Sequence, residues 1–348
     1  MEKLVQLYTS NILLVFLSTF FCLNSVFGQK VLKYTDHESS NEMRTKFLKD
    51  VFFPAIEKES KGRLKIEAHW NGELSTSYDA LNTIKEGKVA ELTTVVPEYV
   101  AKELPLHQVF KSFFVGPTGQ DQVSFFRNVY TQIPAFSAEL QKNNVIDIFL
   151  STGYGVGFFS RNSFNNLNDL KATKWRTASF WHFDYLKNFG AIPITIPWGN
   201  SVYDSLKQKT LDGLMVNIDG GYNLKVYEQA PYLLTSQKLW LGHLYIVSMN
   251  KDTWNALEKE DQLAIQRAAS YSYKSLGSVM DKSYKTQLKN LKKKGTKYRI
   301  LSDKEIFDFQ EATKFREVQE KWVNEQKAKG IIEAENILKK ISTMLYKK

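Results

Sequence analysis

Cysteine is nearly absent: Cys22 is the only one in 348 residues, and it lies inside an N-terminal apolar run. The rest of the chain has no thiol for a disulfide or a thiolate metal site. The histidines His37, His69, His107, His182 and His243 are scattered, with no HxxxH-type pair, which favours ordinary structural roles over a zinc site. No GxSxG, P-loop, HExxH or CxxC is present, so no activated nucleophile or phosphate cradle is spelled out. Gly153 to Gly157 reads GxGxG, but Phe158-Phe159-Ser160 continues as strand. A dinucleotide loop would need a helix N-terminus at that point. No cofactor and no metal is expected. The chain also lacks internal repeats and low-complexity tracts.

The N-terminus is a different material. Glu2 and Lys3 precede an uncharged run from Ile12 to Leu23, followed by Val26-Phe27-Gly28. The run is about 12 residues, short of the ~20 that span a bilayer. It reads as a secretory signal occupying residues 1–28, cut near Gly28–Gln29; an N-terminal membrane anchor is the alternative. Phe21 stands where a lipid-attachment site wants a small residue. A large exported chain without mature cysteine points to a bacterial periplasm. No second hydrophobic stretch approaches spanning length.

The formal net charge is +10. It biases the surface towards anionic partners without choosing among nucleic acid, acidic membrane and small carboxylates. The basic run Lys289 to Arg299 falls at a predicted helix C-terminus, where cations favour the dipole. No nucleic-acid partner is expected.

Periodicity gives an α/β chain. Lys30 to Thr35 predicts a strand. Ser39 and Glu42 read as a capping box opening a helix, kinked at Pro54 and ended by Ser60-Lys61-Gly62. Arg63 to His69 returns as strand, Tyr78 to Glu86 as helix, and Glu91 to Val96 as strand. Gln120 to Tyr130 and Ile133 to Lys142 look helical, Val145 to Leu150 is strand, and a crossing between lobes is placed at Gly153 to Gly157. From Asp169 to Ile218 the pattern is strand, helix, strand, helix, strand. Tyr222 to Ala230 then reads as helix and Leu239 to Asn250 as a long strand leading back to the first lobe. Glu260 to Lys294 is the longest helical signal, with only Gly277 inside; at ~1.5 Å per residue it outreaches one lobe. Strand Lys297 to Leu301 and two helices, about Asp303 to Lys329 and Ile331 to Leu345, complete the chain.

Arg176 sits where the first strand of the central block hands over to its helix, at the carboxyl edge where open α/β sheets bind ligands. Trp175, Phe180, Trp181, Phe183 and Tyr185 surround it in sequence, which predicts a partly dry neighbourhood. A guanidinium held there wants a carboxylate, because its planar fork donates two parallel hydrogen bonds. A lone arginine on the surface is the bland alternative.

A series of landmarks then carries a family resemblance: Ser60-Lys61-Gly62-Arg63, Asn71-Gly72-Glu73-Leu74, Asn168-Asp169-Leu170-Lys171 with Lys174-Trp175-Arg176, Phe189-Gly190-Ala191-Ile192-Pro193, Val202-Tyr203-Asp204-Ser205-Leu206 and Leu211-Asp212-Gly213. In order and spacing, over most of the chain, the sequence resembles the DctP-like solute-binding proteins of tripartite ATP-independent periplasmic (TRAP) transporters. The resemblance implies a two-lobed periplasmic-binding-protein-like fold with crossing strands and a long helix bracing both lobes. One lobe would comprise 29–153 and about 242–282, the other 154–241 and about 283–348. It also implies that Arg176 pairs with the ligand carboxylate, with Asn217, Tyr154, Trp198, Phe180, Tyr99, His37 and Ser39 as further ligand-binding candidates. The implied partners are a small carboxylate and the membrane subunits of a TRAP transporter, and a monomer is expected.

The sequence departs from the family pattern at Ala172 and Ser201, and where other members carry a second arginine it has Val156-Gly157-Phe158-Phe159, with Arg161 nearest. Phe158, Trp175, Phe180, Trp181 and Trp198 are candidates for an apolar wall. The expected ligand is therefore an aromatic or bulky monocarboxylate rather than a small dicarboxylate. The alternatives are a secreted enzyme on the same scaffold, for which His182 with Asp184 is the nearest acid–base pair, and a ligand-sensing receptor subunit.

Overall fold

The structure, a computed structural model, describes residues 28–346 apart from 154, 197, 241 and 243. Residues 1–27, the site candidate Tyr154, and His243 thus lie outside the described residues. In chain order the strands are β1 (Lys30–Thr35), β2 (Leu64–His69), β3 (Leu92–Val95), β4 (Val145–Thr152), β5 (Val156–Ser160), β6 (Lys174–Thr177), β7 (Ile192–Thr195), β8 (Gly213–Asn217), β9 (Tyr232–Thr235), β10 (Leu244–Asn250) and β11 (Lys297–Ile300). They form two sheets, ordered β2-β1-β3-β10-β4 and β11-β9-β5-β8-β6-β7. This is the expected two-lobed α/β architecture.

The two sheets follow one plan. β1 lies between β2 and β3, parallel to both; β6 lies between β7 and β8, also parallel to both. Beside β3 comes antiparallel β10, and beside β8 comes antiparallel β5. The similarity resides in topology, since the sequence carries no repeat. Strand order reverses on either side of β1 and of β6, so the carboxyl ends of these two strands are the crevices where such sheets take ligands.

The chain passes from one sheet to the other between β4 and β5, at the glycine-rich run singled out in the sequence. A Cβ on Gly155 would lie 2.4 Å from the Ser236 carbonyl oxygen, in the segment leading from β9 towards β10. Two crossing segments therefore abut backbone to backbone, which only glycine permits. The helix Lys259–Lys293, 35 residues long and roughly 50 Å at the α-helical rise, packs against helices Phe53–Glu59 and Gly119–Gln132 and also against helix Ile218–Asn223 and β11. Gly277 lets it approach: an added Cβ would sit 2.3 Å from the Gln120 backbone nitrogen.

Several local expectations change. The first helix starts at Met43, with Glu42 as an extended N-cap that makes no side-chain cap bond. Ser39 is not its cap; its carbonyl instead accepts from Thr45 Oγ1 at 2.5 Å, because residues 36–42 turn into the crevice at the end of β1. The kink expected at Pro54 is taken up by a π-helical turn, Leu48–Phe52, just before it, where the proline's missing N–H leaves the ladder open. The last strand of the first sheet begins at Leu244, not Leu239, and β9 has no counterpart among the predicted strands. The helix predicted from Tyr222 to Ala230 is helix Ile218–Asn223 and the 3-10 turn Val226–Glu228. The predicted Asp303 to Lys329 helix breaks at left-handed Lys314 (φ 52°) into Asp303–Ala312 and Phe315–Ala328.

Candidate functional site

Between the sheets lies a cleft of about 620 Å³ including its mouth. The first-sheet side supplies His37, Glu38, Glu42, Val96, Glu98, Tyr99, Lys111 and Tyr245; the second supplies Val156, Arg176, Ala178, His182, Trp198, Met215, Val216, Asn217 and Gly220. Both crevices named by the topology open onto it.

Arg176 is the third residue of β6, in register with Ile194 of β7 and Leu214 of β8. It is only 4% exposed. Its Nε donates to the Ile196 carbonyl at 2.8 Å, and its Cζ lies 5.4 Å from the centre of the Trp198 ring. Its Nη2 is fully buried and has no hydrogen-bond partner among the described residues. A buried charged donor left unmet is costly, and a carboxylate on the open side of the guanidinium would meet it.

Asn217 ends β8. Its Nδ2 donates to the Tyr245 hydroxyl on β10 at 3.1 Å, spanning the two sheets. Its Oδ1 is buried without a donor among the described residues. Tyr99 packs edge-on to His37, with ring centres 6.1 Å apart. Burial holds its hydroxyl well above the usual phenol range, with Arg176 acting the other way.

The other cations of the cleft region are committed. Lys111 Nζ contacts Glu98 at 2.9 Å. Arg44, 3% exposed, grips Asp36 through both terminal nitrogens at 2.7 and 2.8 Å and reaches Glu38 at 2.5 and 3.1 Å. Thr94 accepts from it at 3.1 Å, and its Cζ lies 4.6 Å from the Tyr245 ring centre. Burial disfavours ionised Asp36, but the Arg44 charge and hydrogen bonds outweigh that and hold the carboxyl below the usual range. Glu42 is in the opposite position. Burial, then Glu38, then Asp219 push its carboxyl well above the usual value, against weaker help from Arg44 and a hydrogen bond with Asn223.

Of the residues named from sequence, Arg176, Asn217, Trp198, Tyr99 and His37 meet in this cleft. Ser39 lines an adjoining depression with His37, Glu42 and Trp198. Phe180 does not join them: it is 42% exposed and faces a separate groove with Phe183, Asp184 and Lys321. The rest of the expected aromatic wall is core. Trp181 is fully buried, donating to the Gln108 carbonyl at 2.8 Å, and Phe158 and Trp175 pack with Phe164. Only Trp198 of that wall reaches the cleft. Arg161 is not a lining residue; its Nη1 donates to the Leu206 carbonyl near the end of helix Asn200–Lys207. His182 lines the cleft, whereas Asp184 pairs with Lys321 at 3.1 Å in the other groove, so the two do not form an acid–base pair. Sequence reading missed Glu38, Glu42, Glu98, Lys111 and Tyr245 as lining residues. The signal for Glu38 is the acidic run after β1, Asp36-His37-Glu38, which by spacing looks like a turn before a cap; Glu42 reads by spacing as part of that cap.

Among the described residues no group of side chains is arranged to hold a metal ion, and no helix is long and apolar enough to cross a membrane.

A two-lobed α/β chain with one open guanidinium in its interlobe cleft has the build of a solute-binding protein. Residues 35–325 match the model of the bacterial extracellular solute-binding proteins, family 7 (DctP), and the chain belongs to that family. The ectoine/5-hydroxyectoine-binding periplasmic protein UehA of Ruegeria pomeroyi is 25% identical over 259 residues, 72% of this chain and 74% of that protein. Among solved structures, a TRAP solute-binding protein from Rhodoferax ferrireducens in complex with copurified benzoate has a TM-score of 0.80 at 19% identity, covering 91% of this chain and 97% of its own. A TRAP periplasmic solute-binding protein from Chromohalobacter salexigens with bound D-glucuronate has a TM-score of 0.78 at 17% identity, covering 90% and 99%. At those identities the structural likeness speaks for the fold.

Proposed function

We propose that this protein captures an organic acid in the periplasm by pairing its carboxylate with Arg176, and delivers it to the membrane subunits of a TRAP transporter. It acts by binding and release rather than by catalysis. The observation that carries the reading is the buried Nη2 of Arg176, without a partner among the described residues, on a side chain that lines a cleft between two lobes. Ectoine, benzoate and D-glucuronate, bound by the relatives above, all carry a carboxylate. The lobes would be residues 29–153 with about 242–282, and 154–241 with about 283–348, after export and removal of residues 1–28. Ligand docks on the Arg176 lobe, the lobes hinge shut, and loss of water strengthens the ion pair. The membrane subunits would recognise the closed form, and the protein would work as a monomer.

Trp198 over Arg176 and the absence of Arg161 from the cleft lining support a single carboxylate clamp, and hence a monocarboxylate over a small dicarboxylate. Calorimetry against a panel of organic acids tests the assignment. Monocarboxylates should bind, and Arg176→Ala should weaken that binding by about 100-fold or more; unchanged affinity in this variant would sink it.

A further inference from the structure

Resting on that reading of Arg176, we infer that the ligand is amphoteric, with a protonated nitrogen group that Glu42 and Asn217 receive while its carboxylate meets Arg176. The cleft has two opposite deficits. Arg176, 4% exposed, has a buried donor without an acceptor; Asn217 Oδ1 is a buried acceptor without a donor. A plain monocarboxylate answers the first deficit and leaves the second.

Glu42 sharpens the point. It is 9% exposed and lines both the cleft and the adjoining depression, as Trp198 does. Among the described residues no cation is committed to it: Arg44 is taken up by Asp36 and Glu38, and Lys111 by Glu98. Its neighbours are the carboxylates of Glu38 and Asp219, the distant charge of Arg44, and the Asn223 amide. Of the three acids that line the cleft, Glu38 is therefore paired with Arg44 and Glu98 with Lys111, while among the described residues Glu42 has no ion-pair partner. A ligand's second carboxylate would meet the acid of Glu42 rather than a cation, which disfavours a dicarboxylate. A cationic nitrogen would pair with Glu42 and satisfy the Asn217 carbonyl oxygen.

The test is calorimetric titration of the full mature protein with pairs of similar ring skeleton in which one member carries a cationic nitrogen and the other does not: proline against pyroglutamate, and trans-4-aminocyclohexanecarboxylate against cyclohexanecarboxylate, with succinate as the dicarboxylate. Within at least one pair the cationic member should bind roughly tenfold tighter or better. Glu42→Gln, an isostere of the protonated acid, should reduce that ratio towards one. Neutral-ended acids binding as well or better, or a preference for the cationic member that survives Glu42→Gln, overturns the inference and leaves the Arg176 reading standing. Acids that bind equally well to Arg176→Ala overturn the Arg176 reading itself, and no binding by any acid counts against both. A small molecule extracted from the purified protein and identified by mass spectrometry decides the matter without any variant: an acid carrying no nitrogen cation at neutral pH overturns the inference.

Discussion

Arg44 and Arg176 are both almost fully buried, at 3% and 4% exposure, and both serve the carboxyl end of a strand flanked by parallel neighbours, β1 in one sheet and β6 in the other. Their surroundings differ. Arg44 meets two carboxylates, a threonine hydroxyl and a tyrosine face. Arg176 has a single protein acceptor among the described residues, the Ile196 carbonyl, and its Nη2 is unmet. The same residue type thus has two uses, on the helix that follows β1 (Met43–Phe47) and within β6 itself. A guanidinium satisfied by its own chain fixes the crevice wall. One left unsatisfied is open to an acceptor from outside the chain, and that deficit, rather than burial or charge alone, is what makes Arg176 the candidate ligand contact.

The comparison can be broken most directly through stability. Arg44→Met leaves Asp36 and Glu38 facing one another without a counter-charge, and urea unfolding of the ligand-free protein should show a loss of about 3–5 kcal/mol. Arg176→Met, in the same assay, removes a charge that lacks a partner and should cost little or even stabilise by about 1 kcal/mol. Comparable losses in the two variants would erase the distinction. In binding the roles reverse: Arg176→Ala should weaken the native ligand by about 3 kcal/mol or more, with Arg176→Lys intermediate because a point charge replaces the fork. The brace across the lobes provides a smaller control. Gly277→Ala forces a Cβ against the Gln120 backbone and should cost about 1–3 kcal/mol, read as a lower thermal midpoint.

The place of Arg176 in the cleft lining was legible because its argument is local: a strand end at a sheet's switch point, with aromatic neighbours and a family landmark on either side. The lobes were legible for a similar reason, since strand and helix periods need only a short window. What failed needed distant pairing. Trp181 and Phe180 follow Arg176 in sequence, but their helix turns them onto the Leu106–Ser112 segment and into a different groove. Glu42 fitted a capping box by spacing, yet the crevice beside β1 claimed it, and its environment depends on Asp219 and Asn223 from the other lobe. Arg44 gave no signal because its partners reach it through the turn after β1. The shared plan of the two sheets was invisible for a related reason: hydrogen-bond topology repeats while side chains do not.

The smallest expected effect separates the two crevices by pH. Asp36 has a lowered carboxyl pKa in the folded state, so its contribution is fully present above the usual aspartate range, near 3.9, and is lost as pH falls through the lowered value. Glu42 has a raised one. Near pH 4 and below it is protonated whether folded or not, and has no effect on the balance. As pH climbs past the usual glutamate value of about 4.3, the unfolded chain releases the proton while the folded one keeps it, so stability declines until the raised folded value is passed. Thermal midpoints of wild type and Glu42→Gln should therefore coincide near pH 4 and diverge towards neutrality, with the glutamine variant the more stable. If the Arg176 ligand brings a cation to Glu42, saturating ligand should narrow that gap or reverse it, because an ionised Glu42 then gains its counter-charge. A gap unchanged by ligand would place Glu42 with the self-contained crevice of Arg44 rather than with the open one.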